Sequence, residues 1–279
     1  MVLKKNNVRK VVSELKKGKK MIAMVAPSFD CDFDFPGIII KLKTLGFDKV
    51  VELTFGAKMV NREYHRILGK SNDLIISSAC PGIVNTIKNT LPQYEKNLIK
   101  VDSPMVAMAK ICKKNFPKHK TVFISPCDFK KTEAELSKFV DYVIDYDQLR
   151  ELIKNVKIKK YDEVLFDKFY NDYTKVYPLS GGLSKTAHLK GILKKDEFVV
   201  IDGIANVLKF LKNPDPKVKF MDVLFCEGGC IGGPHTSKKS IKLKHKSVTD
   251  YLRESRKRDI PENRKGLLKK AEGIDFLIH

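Results

Sequence analysis

Residues 218–234 read VKFMDVLFCEGGCIGGP, in which an apolar run leads directly into two cysteines and four glycines. The run from Val218 to Phe225 has the length and composition of a buried strand. The turn that follows places Cys226 and Cys230 among glycines, which allow close backbone approach and unusual dihedral angles. The segment therefore predicts a strand whose carboxyl end carries two thiols suited to a metal centre.

Two earlier segments repeat this arrangement of strand and cysteine. DLIIS at 73–77 leads toward Cys80, and KTVFIS at 120–125 leads through a proline to Cys127. In open α/β sheets, functional sites gather just beyond the carboxyl ends of the strands. We therefore expect these two thiols to meet the pair that follows residue 225.

The rest of the chain alternates between short apolar runs and helical patterns. Strand-like runs at 21–25, 49–53 and 140–144 are separated by segments with helical periodicity. This alternation predicts an α/β fold with mostly parallel sheets. The strand series restarts after residue 101, which predicts two lobes, about 1–101 and 102–279. The polar stretch 148–176 is expected to be helical.

Four thiolates suit either a tetrahedral zinc ion or a 4Fe–4S cluster. Structural zinc usually takes two close cysteine pairs on short ribbons. Here only Cys226 and Cys230 are close in sequence, and the other two candidates lie far apart along the chain. This dispersion favours a cluster held between rigid elements. Cys31 and Cys112 lack glycine or proline motifs, so we expect them to be ordinary buried cysteines.

Lys130 and Glu133 follow the second cysteine motif and lie three residues apart on one predicted helix. One interpretation is a weak exposed ion pair on the helix surface. The other is a lysine directed at anionic ligands of the metal centre and held by its glutamate. The sequence pattern alone leaves both interpretations open.

Charge and composition limit the other classes of function. The formal net charge is +21 with 43% hydrophobic residues, which indicates a globular chain with a basic surface. No basic run is interleaved with aromatic residues as single-strand binders require, so nucleic-acid binding is not expected. The start of the sequence lacks a secretory signal, and no apolar run reaches membrane-spanning length. We expect a cytoplasmic protein with no membrane association and reduced thiols.

Together the three cysteine segments resemble the catalytic domain of FeFe-hydrogenases. That family carries signatures of the form T-S-C-C-P, P-C-x-x-K-x-x-E and C-x-G-G-C-x-x-G, and here they occur in the same order at 77–81, 126–133 and 226–233. Smaller landmarks of the family match Ala26-Pro27-Ser28, Ser103-Pro104-Met105 and 180–183. The resemblance covers about residues 19–255.

The resemblance implies a two-lobed α/β domain, each lobe with a small mostly parallel sheet flanked by helices, and an H-cluster in the cleft between them. That cofactor joins a 4Fe–4S cluster through one cysteine to a diiron unit with carbon monoxide, cyanide and a dithiolate bridge. Lys130 would contact a cyanide, with Glu133 as its partner. The cluster ligands implied by motif position are Cys80, Cys127, Cys226 and Cys230, the last one bridging to the diiron unit.

The pocket for the diiron unit would be lined by Ala26, Pro27 and Ser28, with Met105 where the family has a glutamine. The implied reaction is the reversible joining of two protons and two electrons into dihydrogen.

Several departures from the family pattern bear on activity. Ala79 replaces the cysteine that relays protons in fast members, and a methyl group cannot carry a proton. Ser125 and Leu224 replace methionines, and Met105 replaces the glutamine. These changes resemble the slow, sensory branch of the family. The sequence also has no ferredoxin-like C-x2-C-x2-C segment, and a standalone hydrogenase domain is expected.

Two functions from different classes follow from these observations. The first is an H-cluster protein that reacts slowly with hydrogen or senses it, and whose basic surface docks an acidic ferredoxin-like electron carrier or a signalling partner. The second is a non-catalytic module that carries only a 4Fe–4S cluster for electron transfer or structure.

Overall fold

A computed structural model describes residues 6–158 and 164–279. In these ranges the chain forms seven β-strands in two parallel sheets, with α-helices packed around them. The helices are α1 (Asn6–Lys16), α2 (Gly37–Thr44), α3 (Thr54–Leu68), α4 (Pro81–Thr90), α5 (Pro104–Asn115), α6 (Phe129–Leu136), α7 (Tyr146–Ile153), α8 (Gly182–Thr186), α9 (Ile204–Lys212) and α10 (Ile241–Arg256).

The first sheet has four strands in the order β2-β1-β4-β5. Its strands are β1 (Met21–Val25), β2 (Lys49–Glu52), β4 (Lys120–Ser125) and β5 (Tyr142–Asp145). Every pairing is parallel, and Ala23 in β1 lies between Val50 and Val122 of the neighbouring strands. Because helices cover both faces, these strands are continuous apolar runs without polar alternation.

The second sheet has three parallel strands in the order β3-β7-β6. Its strands are β3 (Ile75–Ile76), β6 (Phe198–Asp202) and β7 (Phe220–Leu224). The central strand β7 is buried over most of its length. The predicted α/β class with parallel sheets flanked by helices is therefore confirmed.

Helices α3 and α5 pack so closely that the backbone of one lies against the backbone of the other. A methyl group at Gly56 in α3 would lie 2.6 Å from the carbonyl oxygen of Pro104 and 2.8 Å from the Cβ atom of Met108. Glycine is therefore required at this crossing, since any side chain would push α5 away. The close contact fixes the first turn of α5, which carries Met105.

The strands are not divided between the two sheets at residue 101, and helix does not run through 148–176. Strands from both sides of residue 101 form the first sheet, and β3 joins strands of the second half, so a division at 101 does not separate the sheets. The reason is that each parallel pairing needs a crossover, and the chain uses these crossovers to move between sheets. Within 148–176, helix ends at Ile153 and a short 3-10 turn forms at Tyr173–Val176. Residues 159–163 of that prediction lie outside the described ranges.

Within residues 6–158 and 164–279, no helix is both long and apolar enough to cross a bilayer.

Candidate metal centre

The four cysteines predicted as ligands each follow a strand. Cys80 comes after β3 and is the N-cap residue of α4, while Cys127 comes after β4 and precedes α6. Cys226 and Cys230 follow β7, and the second of them lies in a 3-10 turn, Gly229–Gly232. Because β4 belongs to one sheet and the other two strands to the other, both sheets contribute to this site.

Side-chain contacts join the three segments that carry these thiols. The rings of Phe129 and Phe225 meet edge to face, with centroids 4.8 Å apart. A methyl group at Gly82 would come within 2.9 Å of both rings. One aromatic contact therefore ties the start of α4, the start of α6 and the end of β7 together.

The thiols also lie close enough for their charges to interact. The pKa of Cys226 is raised to about 12, first by burial and then by the charges of Cys80 and Cys127. The pKa of Cys230 is raised first by burial and then by all three other cysteines. Four thiolates in one partly buried site would repel one another, so the deprotonated set needs a bound cation.

Backbone hydrogen bonds lower the pKa of Cys127 and so oppose the rise that burial causes. Burial is the main cause that raises the pKa of this thiol, and the charge of Cys80 adds to it. The charge of Lys130 lowers the pKa, and so do hydrogen bonds from the backbone N–H groups of Lys130 and Phe129. These N–H groups belong to the first turn of α6, where they have no partner within the helix. The turn therefore favours a thiolate at Cys127.

The glycine-rich turn brings Cys230 against a segment distant in sequence. The N–H group of Cys230 donates to the carbonyl oxygen of Pro178 over 2.8 Å. Gly228 and Gly229 have φ angles of +75° and +80°, in the left-handed region. A methyl group at Gly229 would lie 2.5 Å from that same carbonyl oxygen. Only glycine permits this approach.

Lys130 lies beside the cysteines and is mostly buried. Its Nζ atom donates to Glu133 over 2.6 Å and lies 3.5 Å from the carbonyl oxygen of Ala79. The two side chains are only 12% and 20% exposed, so the pair is not a free surface ion pair. The charge of Lys130 lowers the pKa of both Cys127 and Cys230.

Ala26, Pro27 and Ser28 follow β1 and are buried. The hydroxyl of Ser28 lies 2.7 Å from the hydroxyl of Tyr146. Burial raises the pKa of Tyr146 well above its usual value, and Cys230 is among the charges that add to this rise. Met105 is fully buried in the same apolar cluster as Ala26. The structure therefore places both sequence landmarks in the core that adjoins the cysteines.

Two tyrosines near the thiols were missed by the sequence analysis. Tyr146 contacts Ser28, and Tyr177 is influenced by the charge of Cys230. A lone tyrosine has no spacing that would mark it. The position of Tyr177 directly before the 178–182 segment PLSGG was the only available signal.

The spacing of the thiols bears on the kind of metal. Tetrahedral zinc sites hold sulfurs about 2.3 Å from the ion, which puts them ~3.8 Å from each other. In the described part of the chain, the only group of three or more His, Cys, Asp or Glu ligand atoms within 4.8 Å of one another is formed by Asp128, Asp145 and His235. Among the described residues, no three cysteine sulfurs lie within 4.8 Å of one another.

A lysine side chain already lies against this group of three residues. The Nζ atom of Lys131 lies 3.0 Å from Asp128 and 2.5 Å from Asp145. The lysine therefore compensates the carboxylate charge, and we do not assign a metal there.

A cleft of about 890 Å³ opens beside Cys127 and Cys226. Its lining includes Lys238 and Lys244 from the segment after the glycine-rich turn, and Glu227 between the two cysteines. The cysteine site is therefore accessible to solvent from one side.

The fold and the arrangement of the thiols agree with the protein family whose model matches this chain. The family described as "Iron only hydrogenase large subunit, C-terminal domain" matches residues 19–234, well over half of the sequence. The chain belongs to the iron-only hydrogenase family. The three cysteine motifs of this iron-only hydrogenase domain all lie inside the matched range.

Two curated relatives are longer than this hydrogenase domain. Iron hydrogenase 1 of Clostridium pasteurianum is 27% identical over 80% of this chain and 52% of its own length. Cytosolic Fe-S cluster assembly factor NAR1 of Encephalitozoon cuniculi (strain GB-M1) is 22% identical over 67% of this chain and 58% of its own length. The chain thus spans little more than half the length of these relatives.

Solved structures show the same fold. HydA1, an FeFe-hydrogenase from Chlamydomonas reinhardtii, superposes with a TM-score of 0.66 at 16% identity, covering 95% of this chain and 91% of that one. A HydA structure from work on stepwise H-cluster assembly superposes with a TM-score of 0.64 at 17% identity. It covers the same shares of the two chains.

Replacing Cys127 with alanine tests its place in the metal centre. We expect Cys127→Ala to lower the iron and acid-labile sulfide bound per chain after anaerobic reconstitution, because one of four ligands is lost. Iron and sulfide assays measure the effect directly.

Cys112→Ala is the matched control, since Cys112 is a fully buried thiol outside the site. It should bind as much iron as the unsubstituted protein. Unchanged iron and sulfide in Cys127→Ala would show that the ligand assignment is wrong.

Proposed function

We propose that this chain binds a 4Fe–4S cluster through Cys80, Cys127, Cys226 and Cys230. The observation that supports it best is that the ends of strands from both sheets bring the thiols together. Beside the main effect of burial, Cys80 and Cys127 raise the pKa of Cys226, and these three cysteines raise the pKa of Cys230. The donor set fits the cluster, because thiolates are its protein ligands and backbone N–H groups near the sulfurs stabilise them. The six cysteines are all free thiols. This suits the reducing cytoplasm, where we propose that the protein works.

We further propose that the diiron unit of an H-cluster binds next to Cys230, the bridging ligand. The groups around this thiol fit an anionic partner. Lys130 supplies a mostly buried positive charge, and Ser28 supplies a buried hydroxyl group. In this proposal Lys130 holds a cyanide ligand, Glu133 orients the lysine, and Ala26, Pro27 and Met105 exclude water. When bound, the diiron unit supplies the iron at which dihydrogen is formed or split.

The side chains available for proton transfer determine the rate of hydrogen turnover that we expect. Ala79 has no group that carries a proton, and its carbonyl oxygen faces the ammonium group of Lys130. We therefore propose slow hydrogen oxidation and proton reduction, or hydrogen sensing, in place of fast turnover.

A non-catalytic 4Fe–4S module for electron transfer or structure is the second candidate. Ala79 and the fully buried Met105 favour it, because neither side chain supplies a polar group for hydrogen chemistry. The similarity to NAR1, named as an assembly factor for Fe–S clusters, points in the same direction. In this case the cubane alone occupies the site and assists the transfer or maturation of other clusters.

An infrared spectrum of protein co-expressed anaerobically with the hydrogenase maturases separates the two candidates. If the H-cluster proposal holds, sharp carbon monoxide and cyanide bands appear and shift under hydrogen. Protein made without the maturases is the control, and it should keep iron and sulfide but lack these bands. Bands absent from both preparations, with the cubane present, would contradict hydrogen chemistry and favour the second candidate.

We also propose an acidic ferredoxin-like carrier as the electron partner. Lys238 and Ile241 line the cleft beside the cysteines, and the exposed Lys242 and Lys246 follow in α10. None of these three lysines forms an ion pair within the described ranges. Ile241 and Leu243 are exposed between them, at 40% and 55%. An apolar centre with a basic rim near the site suits a transient acidic partner. A signalling partner would use the same face.

Reversing charge on this rim tests the docking proposal. We expect Lys242→Glu together with Lys246→Glu to slow cluster reduction by a reduced acidic ferredoxin several-fold at low salt, because steering is lost. Stopped-flow absorbance at several ionic strengths measures the rate constants. Lys70→Glu, the same change at the exposed end of α3, is the control. Equal rates and equal salt dependence in all three proteins would contradict docking at this face.

A further inference from the structure

Residues 234–240, PHTSKKS, connect the turn that carries Cys230 to the start of α10. Four of these residues, 234 and 236–238, line the cleft beside the cysteines, so the segment forms one wall of that cleft. All seven residues are at least partly exposed, and Pro234 is the only apolar residue among them. Burial of apolar side chains therefore does not hold this wall in place, and its position depends on polar contacts.

His235 supplies four of these polar contacts. Its backbone N–H group donates to the carbonyl oxygen of Pro126 over 3.3 Å, and its carbonyl oxygen accepts from Arg150 over 2.9 Å. The ring atom Nδ1 lies 2.6 Å from a carboxylate oxygen of Asp147, and Nε2 lies 3.0 Å from one of Asp128. All four partners follow β4 or β5, at the end of the first sheet where Cys127 lies.

Two further contacts attach the same segment to the residues that follow β1. The backbone N–H group of Ser237 donates to Asp32 over 2.6 Å, and Arg150 lies 3.0 Å from the same carboxylate oxygen. The ammonium group of Lys239 donates to the carbonyl oxygen of Cys31 over 3.2 Å. The segment therefore begins at the cysteine turn of the second sheet and is held by polar contacts to the first.

We propose that residues 234–240 are a gate through which iron and sulfide enter and leave the cysteine site, and that His235 is the latch of this gate. The inference rests on the proposed cluster ligation by the four cysteines, but it does not require the diiron unit. Displacing this wall widens the cleft beside Cys127 and Cys226. Segments with few buried apolar contacts open locally at low free energy, and losing polar contacts lowers that free energy further. A gate changes the rates of entry and release together and leaves the amount bound unchanged.

Removing the imidazole ring tests the proposal. The full chain is reconstituted anaerobically with ferrous iron and sulfide, and the rise of cluster absorbance gives the rate of loading. A ferrous chelator added to the loaded protein then gives the rate of iron release. His235→Leu should raise both rates several-fold, because both carboxylate contacts of the ring are lost. The iron and sulfide bound per chain at equilibrium should stay unchanged.

His245→Leu is the matched control, because His245 is an exposed residue on α10 beyond the gate. Its two rates should equal those of the unsubstituted protein. Asp147→Asn tests the latch from the other side of the contact and should also raise both rates. Adding this change to His235→Leu should have little further effect, since both changes break the same interaction.

Hydrogen exchange of the cluster-free protein tests the latch without any metal. His235→Leu should speed exchange of the backbone N–H groups in 234–240 and leave those of β7 unchanged.

Unchanged loading and release rates in His235→Leu, or unchanged exchange in 234–240, would overturn the proposal. Faster release together with less iron bound would also overturn the gate, and would show instead that His235 positions the cysteines. If the unsubstituted protein binds no cluster, the proposed function fails and the gate for iron fails with it, whatever the hydrogen exchange shows.

Discussion

Mutual repulsion among four partly buried cysteines, once they are deprotonated, is the constraint on which the rest of the structure depends. Strand ends from two sheets bring these groups together, and burial raises the pKa of Cys226 and Cys230. Burying several negative charges is costly unless a cation compensates them. The backbone N–H groups at Cys127 and the ammonium group of Lys130 supply part of this compensation, and a metal cluster would supply the rest. In the proposed function, folding and cluster binding are therefore coupled, as is usual where ligands must be deprotonated to bind.

A second group of buried polar side chains stabilises the backbone segment that contacts Cys230. Lys175 and Glu52 form an ion pair with both side chains fully buried, and the lysine also donates to the hydroxyl of Tyr251 over 2.8 Å. Burial lowers the pKa of Lys175, and the charge of Glu52 opposes this shift. Removing one partner of such a pair typically costs about 3–5 kcal/mol. The pair links the end of β2, the 3-10 turn before Tyr177 and α10, so it fixes the backbone that contacts Cys230.

The sequence was most informative where local pattern and chemistry coincide. An apolar run that ends in a cysteine predicts both a strand and the position of its thiol, and this held at β4 and β7. The grouping of strands into sheets was not predictable, because the same alternation fits any order of crossovers. The division into lobes near residue 101 stays a prediction, since the sheets combine strands from both sides of it. Helix was also predicted across 148–176, where polar residues favour it, but helix ends at Ile153. Tyr146 and Tyr177 act through tertiary contacts, which leave no periodic signal.

In the proposed function, thiols from both sheets hold one iron cluster. Anomalous diffraction at the iron edge, from crystals of anaerobically reconstituted protein, tests this arrangement. We expect one compact group of iron atoms bounded by the sulfurs of Cys80, Cys127, Cys226 and Cys230. Iron found elsewhere, a single ion at the site, or a cluster that leaves any of these sulfurs unbound would contradict it.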